Sequence, residues 1–205
     1  MRTLSIPIYS FTELSDSAKE YARQQYRIYD LDYEWWDAVY EDAKMCGKLL
    51  GIEIDRIYFS GFSSQGDGAC FEGCYSYRPG WRKALRSAIG GQSLAKLEAI
   101  GDALQDAQRP AFYRLTASTR HDGHYCHSGC MDVTVDASDT PNVRFSMFDD
   151  YGNEFYEGVR DELRRFADWI YAQLSEEYDW LTSDEAIDEA LIANEYEFTE
   201  NGELT

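Results

Sequence analysis

Apolar positions recur at helical spacing in six stretches of the chain, and short apolar runs bounded by turn residues make up five more. Ser15 is placed to cap a first helix ending near Tyr29. Residues 33–51 predict a second. Trp36, Val39, Tyr40, Ala43, Cys46 and Leu50 fall on one face, and Glu34, Asp37, Glu41, Lys44 and Lys48 on the other, with Gly51 as the stop. Residues 54–62 and 69–78 read as strands, and Pro79-Gly80 breaks the chain. Residues 81–89 predict a short helix. Residues 93–108 predict an amphipathic one through Leu94, Leu97, Ile100 and Leu104, ended by Pro110. Three further strands are expected at 112–119, 125–136 and 142–148. A long helix over 154–181 carries the stripe Phe155, Val159, Leu163, Phe166, Ile170 and Leu174. Ser183 caps a last acidic helix over 184–194. The tail 195–205 adds a short strand or stays loose.

This order predicts an α+β fold: an antiparallel sheet of about five strands packed with amphipathic helices, and a long acidic helical C-terminal end. The expected organisation is one domain over residues 1–205, with 183–205 as an acidic appendage. No internal repeat or low-complexity linker is visible. A chain of 205 residues buries a real core, and 16 Tyr, 10 Phe and 5 Trp leave aromatic area for a binding surface.

Charge changes this picture most. Thirty-eight acids against 19 bases give −19. Arg165 is the last basic residue, and the later acids are expected to have nothing to neutralise them. Such a field opposes direct binding to DNA or RNA and favours a basic partner. No stretch reaches the roughly 20 apolar residues of a membrane span, and the start has no apolar signal core. Five cysteines, an odd number, fit reduced thiols in a cytoplasm.

The stretch FSGFSSQGDGACFEGC at 59–74 invites catalytic readings. It lacks the lysine of a phosphate loop, the third glycine of a dinucleotide loop and the closing glycine of a nucleophile elbow. What remains is a hairpin turned at Asp67-Gly68, where both positions tolerate positive φ. A recognition loop formed by Ser63, Ser64, Gln65 and Asp67 is the sharper alternative. The longer stretch DYEWWDAVYEDAKMCGKLLGIEIDRIYFSGFSSQGDGACFEG, with FYRLTASTRHDGHYCHSGCM and LTSDEAIDEALIANEYEFTENG, resembles a widespread family of small proteins of phages and their bacterial hosts, for which "antitoxin" is one label. The resemblance spans nearly the whole chain and implies no catalytic residue.

His121, His124, Cys126, His127 and Cys130, with Cys70 and Cys74, invite a zinc site. If these segments are strands, residues four apart lie roughly 13 Å apart. No metal is therefore expected, unless a bulge at Gly129 or Gly73 brings the ligands together; no cofactor or catalytic residue is expected either. Buried cysteines and surface histidines are the plain reading, and a Cys126 nucleophile with a histidine base the sharper one.

At the carboxylate-rich end, Glu176, Glu177, Asp179, Asp184, Glu185, Asp188 and Glu189 form either a solvated helix face or a surface imitating nucleic-acid phosphates. Trp180, Tyr196 and Phe198 would anchor such a contact. The leading expectation is a phage-encoded, non-enzymatic inhibitor in the host cytoplasm. It would bind the basic cleft of a bacterial defence complex, a CRISPR effector first and a restriction enzyme next. An antitoxin or regulatory partner, and a small enzyme using the glycine hairpin and the histidines, are the alternatives.

Overall fold

A computed structural model describes residues 7–29, 34–137 and 152–205. The strand expected at 142–148 lies outside them. The elements run β1 (Tyr9–Ser10), α1 (Asp16–Tyr29), α2 (Asp37–Leu50), β2 (Ile52–Phe59), β3 (Ala69–Ser76), α3 (Trp81–Ala88), α4 (Gly91–Gln108), β4 (Leu115–His121), β5 (Met131–Ala137), α5 (Gly152–Leu181), α6 (Asp184–Ala193) and β6 (Glu197–Phe198). The fold is α+β. The described sheets are antiparallel, one of four strands in the order β2-β3-β4-β5 and one of two, β1-β6.

Local chemistry sets many of these boundaries. The Ser15 hydroxyl accepts from the Ala18 amide at 3.3 Å, and the Ser183 hydroxyl from the Ala186 amide at 3.2 Å, so both expected caps form. Helix α2 starts later than expected, and Trp35 rather than Trp36 is the buried tryptophan before it. Strand β4 starts three residues late because Phe112 and Tyr113 take φ values of 52° and 61° in a left-handed turn. Residues 125–130 are not a strand: Ser128–Cys130 form a 3-10 turn, and β5 begins only at Met131.

The contacts divide the chain into two compact units. The central unit, Ala38–Leu174, is the four-stranded sheet with its helices. Its core holds Phe71 edge-on to Phe166 at 5.8 Å, and Phe166 stacked on Trp169 at 5.4 Å. The expected stripe of α5 is buried from Val159 to Leu174, with Phe155 half-buried. Buried Gln108 donates to the Leu115 carbonyl at 2.7 Å and accepts from the Leu115 amide at 3.0 Å. Its side chain thus acts as one more strand partner where β4 begins.

The terminal unit joins Met1–Asp37 to Ser175–Thr205. Phe11, Leu14, Ala18 and Ala22 meet Ile187, Leu191 and Phe198 in a small apolar core, with Tyr9, Tyr26 and Tyr196 against it. Strand β6 pairs Phe198 with Tyr9 and Glu197 with Ser10. The tail then doubles back, the Thr205 amide donating to the Glu197 carbonyl at 3.1 Å. Gly202 lets it lie against α1. Its φ is +87°, and a Cβ there would meet the Ala18 carbonyl oxygen at 2.2 Å.

Gly202→Ala is therefore expected to destabilise the terminal unit by about 1–3 kcal/mol. Gly90→Ala, where an added methyl meets nothing within 4 Å, is expected to cost at most about 0.5 kcal/mol. Thermal unfolding of the two variants measures the difference.

Candidate functional site

The acidic end of the chain lies in the terminal unit. Eighteen carboxylates and four basic side chains fall within its two segments, a net −14 of the chain's −19. The expectation that nothing neutralises the late acids is corrected by α1. Arg23 donates through Nε and Nη2 to the two oxygens of Asp188 at 2.6 and 2.7 Å, a two-point fork. Its other terminal nitrogen lies 3.8 Å from Asp184 and 3.5 Å from Glu20. Arg27 pairs with Asp184 and donates to the Thr182 carbonyl at 2.9 Å. The Arg23 guanidinium is pushed further up from its already high range, chiefly by the bond to Asp188.

Two of the seven expected partner-binding carboxylates thus hold the unit together. Glu185 and Glu189 are exposed on the same helix with no ion pair among the described residues. Glu176 and Asp179 are exposed near the end of α5, Glu177 is half-buried, and Trp180 is 48% exposed. Tyr196 is half-buried, edge-on to Tyr26 at 6.1 Å. Phe198, offered as an anchor, is buried in the core.

The second group belongs to the central unit. Residues 60–68 form a turn between β2 and β3, closed by the Ser60 amide on the Gly68 carbonyl at 3.3 Å. The positive φ angles sit at Gly61 and Gly66, 106° and 95°, and not at Asp67-Gly68 as expected. Gly68 is required for space: a Cβ there would lie 2.6 Å from the His127 Cα. One Asp67 oxygen accepts from the Ser63 and Ser64 amides at 2.7 and 2.6 Å, which fixes the tip where Ser63, Ser64 and Gln65 are exposed.

The same packing brings the thiols together. Cys70 is buried, 3.4 Å from His121 Nδ1. Burial pushes its thiol up to about 12, and nearby Cys126 and Cys130 add to the effect. Cys130 meets His127 Nε2 at 3.2 Å. The His121 ring lies 4.5 Å from that of Tyr58, whose hydroxyl donates to Glu72 at 2.8 Å. That bond, and the His121 amide at 3.2 Å, hold the Glu72 carboxyl below its usual range. The 13 Å spacing argument fails for Cys126 and Cys130, because their segment turns. Among the described residues, no three His, Cys, Asp or Glu side chains form a group able to hold a metal ion. His124 packs on Tyr125 at 5.5 Å, while Asp67 is committed to the two amides. Sequence reasoning missed Arg23, Arg27, Tyr58 and Glu72. Their roles depend on neighbours 14 to 165 positions away.

Residues 35–184 match the family described as Domain of unknown function (DUF8835), and the chain belongs to that family. The matched range contains the whole central unit and stops at the first residue of α6. No curated protein and no solved structure matches the chain. No helix among the described residues is long and apolar enough to cross a membrane.

Two outcomes follow. Asp188→Asn is expected to cost about 1–2 kcal/mol by breaking the fork. Glu185→Gln is expected to change stability by no more than about 0.5 kcal/mol, both read from denaturant midpoints. Alkylation with iodoacetamide at pH 8, followed by mass spectrometry, should modify Cys74, Cys126 and Cys130 at least about tenfold faster than Cys70 and Cys46. The latter two thiols are buried and raised to about 12 and about 11. Equal labelling of Cys70 and Cys126 would contradict this account of the cluster.

Proposed function

We propose that this chain is a non-enzymatic inhibitor that engages the basic, nucleic-acid-binding surface of a partner protein through the acidic face of its terminal unit. The observation that carries this reading is the concentration of charge. A net −14 sits on 68 of the 205 residues, and Glu185 and Glu189 are left exposed after Arg23 and Arg27 have taken Asp184 and Asp188. DNA presents about one charge per 1.7 Å of helix axis, and clefts built for it are lined with Lys and Arg. Glu176, Glu177 and Asp179, with Trp180 beside them, extend the carboxylate surface. The resemblance to phage proteins supports a bacterial defence complex in the host cytoplasm as the target, a CRISPR effector first and a restriction enzyme next. Regulation of a toxin is the competing use of the same surface. An enzyme at the histidine cluster would have to work beside a Cys70 thiol that keeps its proton.

The test is kinetic. The partner is captured from a defence-competent lysate, and association is followed at about 0.01 M and about 0.15 M salt, where the Debye length falls from about 30 to about 8 Å. Glu185→Lys with Glu189→Lys is expected to slow association about tenfold or more at low salt and to release the partner's DNA or RNA. Asp42→Lys with Asp55→Lys, in the central unit, is expected to change the rate less than threefold. Asp184 and Asp188 are left intact, since reversing them would break the unit itself. Wild-type association by the Glu185/Glu189 variant at low salt would overturn the reading.

A further inference from the structure

Besides Trp180 on α5, four large apolar side chains of the terminal unit remain between 41% and 58% exposed: Ile8, Tyr21, Ile192 and Leu204. They are not scattered. Tyr21 and Leu204 border a cavity of about 470 Å³ whose lining also includes Tyr26 and Phe198. Ile8 and Ile192 border a second, of about 410 Å³, beside β1. Leu191 and Tyr196 line both, so the two cavities adjoin across one tyrosine. Each has the size of a cleft that accepts a bulky side chain or small ligand. Isolated exposed apolar residues need no explanation, whereas four bordering adjoining cavities do.

The rim decides the occupant. Glu195 and Glu197 line one cavity and Glu203 the other, and none has an ion pair among the described residues. A second copy of the chain would bring −14 against −14, and an anionic membrane surface would be repelled in the same way. An apolar floor under unpaired carboxylates is complemented by apolar side chains carried on a cationic backbone segment. Tyrosine faces at the wall add attraction for Lys or Arg.

We propose that the two adjoining cavities receive two bulky apolar side chains of a single Lys- and Arg-rich segment of a partner protein. Acid at the rim then holds the flanking cations, and Tyr196 separates the two anchors. The identity of the partner rests on the proposed function; the chemistry of the segment does not.

The probes are fluorescent 15-residue lysine-rich peptides carrying two leucines at a spacing of three, four or seven. A peptide with serines in place of the leucines serves as reference. Anisotropy at 0.15 M salt is expected to show at least one leucine peptide binding about tenfold or more tightly than the serine peptide. Ile192→Ser with Leu204→Ser is expected to abolish that advantage while keeping the salt-sensitive binding of the serine peptide. Tyr21→Ser, at another exposed position, should reduce it independently, and an unchanged melting temperature verifies that each variant is folded. Equal binding of serine and leucine peptides at all three spacings overturns the proposal, as does an advantage that survives in the Ile192/Leu204 variant. The two readings fail separately. A leucine advantage alongside wild-type association by the Glu185/Glu189 variant leaves the groove and removes the phosphate imitation. The reverse pair of results removes the groove alone.

Discussion

The terminal unit must hold 18 carboxylates around an apolar core of seven side chains. Burial of Phe11, Leu14, Ile187, Leu191 and Phe198 supplies cohesion, yet a core this small competes with repulsion that acts over the whole unit. The fork from Arg23 to Asp188, with Arg27 on Asp184, converts two like charges one turn apart on α6 into the seam with α1. Both arginines project from one side of α1, four positions apart, and their targets lie four apart on α6, so two helices are matched turn for turn. Glu185 and Glu189, with no ion pair among the described residues, stay exposed on α6. The same arrangement that stabilises the unit decides which carboxylates of α6 stay without an ion pair among the described residues.

The central unit solves a different problem. Its sheet carries one register shift in β2, between Ile54 and Arg56, and several close approaches leave no room for a side chain, among them Gly68 at His127, Gly73 at the Glu53 carbonyl and Gly101 at the Trp81 ring. The first draws residues 121–130 down beside the β2–β3 turn, and that is how Cys70, in a strand, comes to neighbour Cys126 and Cys130. Of the five thiols in this unit, Cys46 and Cys70 are buried, whereas Cys74, Cys126 and Cys130 reach the surface.

Legibility followed the range of the forces involved. The caps at Ser15 and Ser183, the stripe of α5 and the antiparallel order of β2 to β5 come from neighbours in sequence, and periodicity reveals them. Strands β1 and β6 have two residues each, too few for any alternation, and their partners lie nearly the whole chain apart. Asp67-Gly68 misled because the dipeptide is a strong local turn signal, while a longer turn with left-handed glycines at 61 and 66 satisfies the same strands. Residues 125–130 misled because polar and small residues in alternation look like an edge strand. The Gly129 amide instead bonds back to His127 at 3.1 Å and starts a turn. At the acidic end, counting charges could not say which acids were spoken for, since Arg23 and Arg27 sit some 160 positions upstream.

Pairing Tyr9 with Phe198 has a consequence for synthesis. Every residue of the central unit has been translated before α6 exists, so that unit can fold while the ribosome is still working. The first helix, by contrast, waits until residues 184–198 have been translated for the segment that completes it, a delay imposed by contact order. A product cut short by a frameshift, a stalled ribosome or a protease would keep a well-formed sheet and carry no paired α1–α6 face. The paired α1–α6 face is thereby made conditional on an intact reading frame.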